Sequence, residues 1–178
     1  GPSTGSATRG ADGDVNFLRW GNSGGMPVIV LAPVNVADCF TLTFQAFNLA
    51  EIFRCPVFIA SNKEIAMTRE SVDLDAIELP PIVTRSSADR NSPFMPFATD
   101  SDDSAPGFLP IGDSILVRQT SSTHGANGYI TVDPDEIDAF QQRLLKKVTA
   151  HVDDFTYFDQ DLDPRADTLL LVYGVTAR

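Results

Sequence analysis

The residues best equipped for chemistry stand first, in GPSTGSAT, Gly1 to Thr8. Ser3, Thr4, Ser6 and Thr8 carry hydroxyls, each able to donate one hydrogen bond and accept two. Gly1 and Gly5 permit close backbone approach to a ligand. A loop of this composition suits the orientation of an oxygen-rich small molecule. Composition alone leaves a second reading open, because Gly-Pro is also the remnant that some tag-removing proteases leave. Asp12 and Asp14 follow, and either can cap the next helix.

Elsewhere the candidates are fewer. His124 and His151 are the two histidines. His124 lies in the loop TSSTHGANG, a setting in which a functional role stays open. His151 falls in the last turn of a helical pattern, where an imidazolium complements the helix dipole. Cys39 sits within helical apolar spacing and Cys55 at the mouth of a strand. Neither belongs to a CxxC pair, so both read as buried free thiols of a reducing compartment, not as zinc or iron–sulfur ligands. Asp102-Asp103 and Asp153-Asp154 occupy charge-rich connectors and read as solvated surface. Phe17 and Trp20, flanking Arg19, read as helix packing. P-loop, GxGxxG and HExxH patterns are all missing. No catalytic residue and no metal site is therefore assigned within this sequence.

Charge narrows the partners. Thirteen Lys and Arg stand against 24 Asp and Glu, a net charge of -11 that repels phosphate backbones and argues against nucleic-acid binding. No apolar run approaches the roughly 20 residues that span a bilayer, so no membrane segment is expected. The length, 178 residues with 43% hydrophobic, suits one domain or one domain with attachments.

The elements that must position these residues are well marked. MPVIVLAP (26–33), CPVFIAS (55–61) and TLLLVYG (168–174) are apolar runs without alternation, the pattern of strands covered on both faces of a parallel sheet. Between the first two, Asn35 to Arg54 predicts a helix of about five turns capped by Asn35. Val36, Phe40, Phe47 and Ala50 share one side of it; Cys39, Leu42, Ala46, Leu49 and Phe53 fill the adjoining one. Strand, helix and strand with short joints make a βαβ unit. A short helix is expected within 64–71. Prolines punctuate 79–110, so that stretch reads as an irregular excursion, with a strand segment at Ser114–Thr120 and a turn at Asn127-Gly128. Asp133 to Val152 predicts a second helix, with Asp133 as cap, Pro134 in the first position and Glu136 completing a capping box. Its apolar stripe is Ile137, Phe140, Leu144 and Val148, with Lys146 and Lys147 near the negative end of the dipole.

Taken in order, GPSTGSAT, Gly13-Asp14, PVIVLAP, CFTLTFQAFNLAEIFRCPVFIAS, TSSTHGANGYITVDPD and DTLLLVYGVTAR resemble the α subunit of 2-oxoacid:ferredoxin oxidoreductases, the 2-oxoglutarate type above all. The resemblance covers nearly the whole sequence and is loosest from about 72 to 112. It implies an α/β fold: part of a thiamine-diphosphate-binding, pyrimidine-domain architecture with a parallel sheet, flanking helices and an irregular connecting region. The implied units are 1–78, the C-terminal half of the pyrimidine-binding domain; 79–132, an irregular excursion; 133–166, a capped helix and acidic connector; and 167–178, the first strand of a transketolase C-terminal-like domain. Both ends then read as internal to a longer chain.

The same resemblance implies oxidative decarboxylation of a 2-oxoacid on thiamine diphosphate, ferredoxin reduction and acyl transfer to coenzyme A, in the cytoplasm. A β subunit would hold most of the cofactor set, namely the diphosphate with Mg2+ and a [4Fe-4S] cluster; this stretch alone would bind none and be inactive. The family's loop runs Arg, any residue, GPSTG, any residue, Pro, Thr. Thr8 matches the substrate-contacting threonine, with Ser3, Thr4 and Gly5 beside it; the arginine would lie two positions before Gly1. Ala7 stands where the family has proline, which removes a φ constraint. His124 is carried as a further possible site residue. The alternative reading is a non-catalytic α/β binding or scaffolding module. With either, exposed apolar surface should make the chain associate with a partner or itself.

Overall fold

The computed structural model describes residues 13–21, 25–90 and 93–178. The loop residues Ser3, Thr4, Gly5, Ala7 and Thr8, together with Asp12, lie outside them. In chain order the main elements are α1 (Gly13–Trp20), β1 (Ile29–Leu31), α2 (Val36–Phe53), β2 (Val57–Ile59), α3 (Lys63–Met67) and α4 (Pro134–Thr149). β1 and β2 pair in parallel, with Ile29 beside Val57, Val30 beside Phe58 and Leu31 beside Ile59. Each strand is shorter than its apolar run. Pro27 and Pro56 have no N–H to give, so the ladder begins after them, with Ile29 N–H donating to the Pro56 carbonyl at 3.2 Å.

Helix α2 follows its sequence signals at both ends. The Asn35 side chain accepts from Asp38 N–H at 2.8 Å, and Asp38 accepts from Val34 N–H at 3.1 Å. At the other end Arg54 takes the left-handed conformation, φ 44°, which an L-residue with a Cβ enters at a cost. Two contacts hold it there. Its guanidinium donates to the Pro106 carbonyl at 2.9 Å, and its own carbonyl accepts from Lys147 Nζ at 3.4 Å.

The core is where α2, the sheet and α4 meet: Ile29, Leu31, Leu49, Phe53 and Val148 are buried together, with Leu42, Ala46, Cys55 and Phe155 packed around them. The two apolar sides of α2 thus part company. The Leu42–Leu49–Phe53 side packs on the sheet, whereas Phe40 and Phe47 are 41% and 72% exposed. The sheet itself is covered on one face, not on both as its unbroken apolar runs predict. Ile29 and Leu31 point at α2, while Val30 on the opposite face is 41% exposed.

Three further expectations change. TLLLVYG forms no strand: Thr168–Tyr173 has no ladder partner among the described residues, and Leu170 is 80% exposed. A strand is stabilised by its neighbour, and none of the described residues pairs with this segment. Ser114–Thr120 is irregular for the same reason. Phe17 and Trp20 are exposed at 64% and 69%, because α1 buries no residue; Arg19 lies over the Trp20 ring at 4.1 Å instead.

Residues 79–132 contain no long regular element and are fastened from outside. Asn48, buried on α2, donates through Nδ2 to the Pro81 carbonyl at 3.1 Å and accepts Val83 N–H on Oδ1 at 3.0 Å. One carboxamide thereby grips a backbone as a neighbouring strand would. Further on, Ser87 bridges Phe108, and Arg85 lies over the Phe108 ring while pairing with Glu51. The Asn127-Gly128 turn forms as its sequence predicts: Gly128 adopts φ 79°, and its N–H donates to the Gly125 carbonyl at 3.0 Å.

Helix α4 opens on Pro134, with Asp133 accepting from the N–H groups of Asp135 and Glu136. The reciprocal half of the capping box is replaced. Asp133 N–H goes to the Thr131 hydroxyl at 3.2 Å, and the Glu136 carboxylate lies against Gly125. Lys147 does not serve its own helix dipole. It is 5% exposed and turned onto the C-terminus of α2, whose last turn has no basic residue of its own. Burial pushes its pKa down, helped by the nearby Arg143 and Arg54 charges and opposed by Cys55.

Candidate functional site

A cavity of about 500 Å³ opens just beyond the C-terminal end of β2. Three pieces of chain build its walls: α1, the β2 exit through Asn62, and the closing segment from Leu171. In parallel α/β sheets ligands bind outside the carboxyl ends of the strands, because the strand-to-helix loops gather there. The position is therefore the one in which this fold class builds a site.

Phe17 of α1 and Phe58 of β2 give the cavity aromatic walls, and Asp14, Ser61, Asn62 and Thr176 bring polar groups. Lys, Arg and His are missing from the described lining residues. Burial, followed by the Asp38 charge, pushes the pKa of the Cys39 thiol up, and Ser61 opposes the rise. Asn62 caps α3, its Oδ1 accepting Ile65 N–H at 3.0 Å. Across from it, Gly174 adopts φ 60°, a conformation open to glycine, and the closing turn is tethered by the ion pair of Arg178 with Glu70.

The loop of Gly1–Thr8 lies outside the described residues; in the sequence Thr8 precedes Asp14, a lining residue of the cavity, by six positions.

The remaining candidates are drawn into structure. His124 is 7% exposed, stacked on Phe97 with ring centroids 3.6 Å apart and edge-on to Phe140 at 4.7 Å. It joins α4 to the excursion and stands outside the cavity lining. His151 follows α4 instead of closing its last turn; Nδ1 meets Asp154 at 3.0 Å and Nε2 faces Asp103 at 3.9 Å. Asp102 pairs with Lys146 at 3.5 Å, and Asp103 and Asp154 both face the His151 imidazole. Cys39 and Cys55 are free and half-buried; burial raises the Cys55 thiol too, against the opposing charge of Lys147. Both thiols are held in the protonated, weakly nucleophilic form. No group of three or more His, Cys, Asp or Glu with metal-holding geometry occurs among the described residues. None of their helices is long and apolar enough to cross a membrane.

Asn62 and the closing segment are the parts of the site that motif reading does not reach. The signal was present in Asn62-Lys63-Glu64 directly after a strand run, the start of a capped helix at a strand's carboxyl end.

A parallel βαβ unit with a cavity at its strand exit defines an α/β ligand-binding domain. Residues 1–141 match the family described as pyruvate flavodoxin/ferredoxin oxidoreductase, thiamine diphosphate-binding, and the chain belongs to that family. It is 33% identical over 180 residues to the 2-oxoglutarate synthase subunit KorA of Methanocaldococcus jannaschii, covering 100% of this chain and 47% of that protein. To the 2-oxoglutarate oxidoreductase subunit KorA of Mycobacterium tuberculosis it is 30% identical, over 98% of this chain and 26% of that one. The chain thus spans about half the length, or less, of the curated relatives it matches. Among solved structures, the 2-oxoglutarate:ferredoxin oxidoreductase of Magnetococcus marinus, with 2-oxoglutarate, coenzyme A and succinyl-CoA bound, superposes with a TM-score of 0.71. It is 23% identical and covers 86% of this chain and 27% of that one, so the likeness is one of fold.

Proposed function

We propose that this chain is part of the α subunit of a thiamine-diphosphate-dependent 2-oxoacid:ferredoxin oxidoreductase, which converts a 2-oxoacid to an acyl-CoA while reducing ferredoxin. The observation that carries the reading is the 33% identity to a 2-oxoglutarate synthase subunit along the whole of this chain. Its contribution is a substrate loop and a wall of the site, with a face for the β subunit.

The residues present fit one end of the cofactor better than the other. Aromatic walls at Phe17 and Phe58 suit a planar heteroaromatic ring. A diphosphate with its Mg2+ needs cationic groups or a cluster of metal ligands, and the described lining residues hold no Lys, Arg or His and no such cluster. That end, and the [4Fe-4S] cluster, belong to the β subunit in this reading. When bound, thiamine diphosphate supplies the carbon nucleophile and the electron sink of decarboxylation.

The chain's own residues bind and orient. Thr8 donates its hydroxyl to the substrate's carboxylate or keto oxygen, with Ser3, Thr4 and Gly5 shaping the loop around it. Coenzyme A and ferredoxin reach the site through the assembled enzyme. The cytoplasm is the proposed location, a compartment in which Cys39 and Cys55 remain thiols.

The experiment is an assay of the assembled enzyme for coenzyme A-dependent reduction of ferredoxin with a series of 2-oxoacids, beside this chain alone. Turnover by the assembly and none by the chain alone is the expected result. An assembly inert toward every 2-oxoacid would leave the binding-module reading in its place.

A further inference from the structure

Among the polar groups of the cavity, Asn62 stands apart because half of its amide is already used. Oδ1 accepts Ile65 N–H at 3.0 Å as the cap of α3, and this bond settles which end of the carboxamide is oxygen. Nδ2, with two N–H donors, has no acceptor among the described residues. Asn62 lines the cavity beside Phe58 and Gly174, so the free amide end borders open space. The cavity therefore presents a donor whose direction is fixed by a cap, beside apolar walls, with space in front of it. A donor in such a place favours a ligand oxygen.

We propose that Asn62 is a specificity-determining residue whose Nδ2 donates a hydrogen bond to an oxygen of the bound 2-oxoacid. The assignment rests on the function proposed above. It selects carboxylate and carbonyl oxygens over groups that only donate, and its orientation costs nothing at binding because the α3 cap has already fixed it.

Two substitutions test it in the assembled enzyme. Asn62→Asp keeps the capping oxygen and the side-chain volume but replaces both donors by a negative charge. Asn62→Ser also caps, with a side chain too short to reach the ligand. KM for the 2-oxoacid rises about 10- to 100-fold with Asn62→Asp and about tenfold with Asn62→Ser, while kcat changes less. The equilibrium affinity for the 2-oxoacid, measured by calorimetry without coenzyme A, falls in the same order. Melting temperatures remain at the wild-type value, since both variants cap α3. If wild-type enzyme turns over a 2-oxoacid and both variants keep its KM, the assignment is wrong and the proposed function stands. Loss of affinity that merely tracks a lowered melting temperature also overturns it, by assigning Asn62 to the cap alone. A wild-type assembly inert toward every 2-oxoacid removes both.

Discussion

The βαβ unit and the excursion that follows it are held by different forces. In the first, Ile29, Leu31, Leu49 and Phe53 exclude water from a shared core. In the second, residues 79–132 bury few side chains of their own and are gripped at points: by Asn48 at Pro81 and Val83, by Arg54 at Pro106, and by the Phe97–His124–Phe140 stack. Nonlocal side chains thus do for the excursion what periodicity does for the core. The closing segment belongs to neither kind, since Leu169, Leu170 and Leu171 are 65%, 80% and 87% exposed while Gly174 is buried at the cavity.

The contrast is sharpest under substitution. Phe53→Ala removes a ring that is 4% exposed and touches Phe155 edge-on, so unfolding in urea should lose about 3–5 kcal/mol. Asn48→Ala leaves the core intact but orphans a carbonyl and an N–H of the excursion. Stability should fall by about 1–3 kcal/mol, and amide exchange at Val83 should rise far more than at Leu31. Equal exchange at the two amides would erase the distinction between core and excursion.

Lys147 joins the two regions and titrates. Burial lowers its pKa below the ordinary 10.5, so the unfolded chain binds more protons than the folded one between the lowered value and 10.5. Stability contributed by this group is therefore lowest below that window and rises with pH through it. Lys147→Met removes the burden, so the stability difference between Lys147→Met and wild type should shrink as pH climbs toward 10.5. A difference independent of pH would show that the ammonium is not desolvated. The smallest effect belongs to the closing segment: Leu170→Ser at an 80% exposed position should change stability by no more than about 0.5 kcal/mol.

Much of the core was legible. Asn35 and Asp133 cap as their types demand, α2 and α4 lie where the apolar spacing puts them, and the two proline-led runs pair in parallel. Local signals sufficed because each reports on its own element. The rest depends on distant partners. Nothing within TLLLVYG tells that it lacks a neighbouring strand, and nothing within LLKKV tells that Lys147 turns to the end of α2 while Lys146 faces Asp102. Of the proposed site, the hydroxyl-rich loop is readable by motif. The cavity is not, because Phe17, Asn62 and Thr176 converge only once α1, β2 and the closing segment are folded together.

The central claim is that the opening loop binds a 2-oxoacid. Thr8→Val tests it with little change in volume. In the assembled enzyme, kcat/KM for the 2-oxoacid should fall at least about tenfold, the loss of one hydrogen bond to a charged or polarised oxygen. A value within about twofold of wild type, with the assembly intact, would contradict the account.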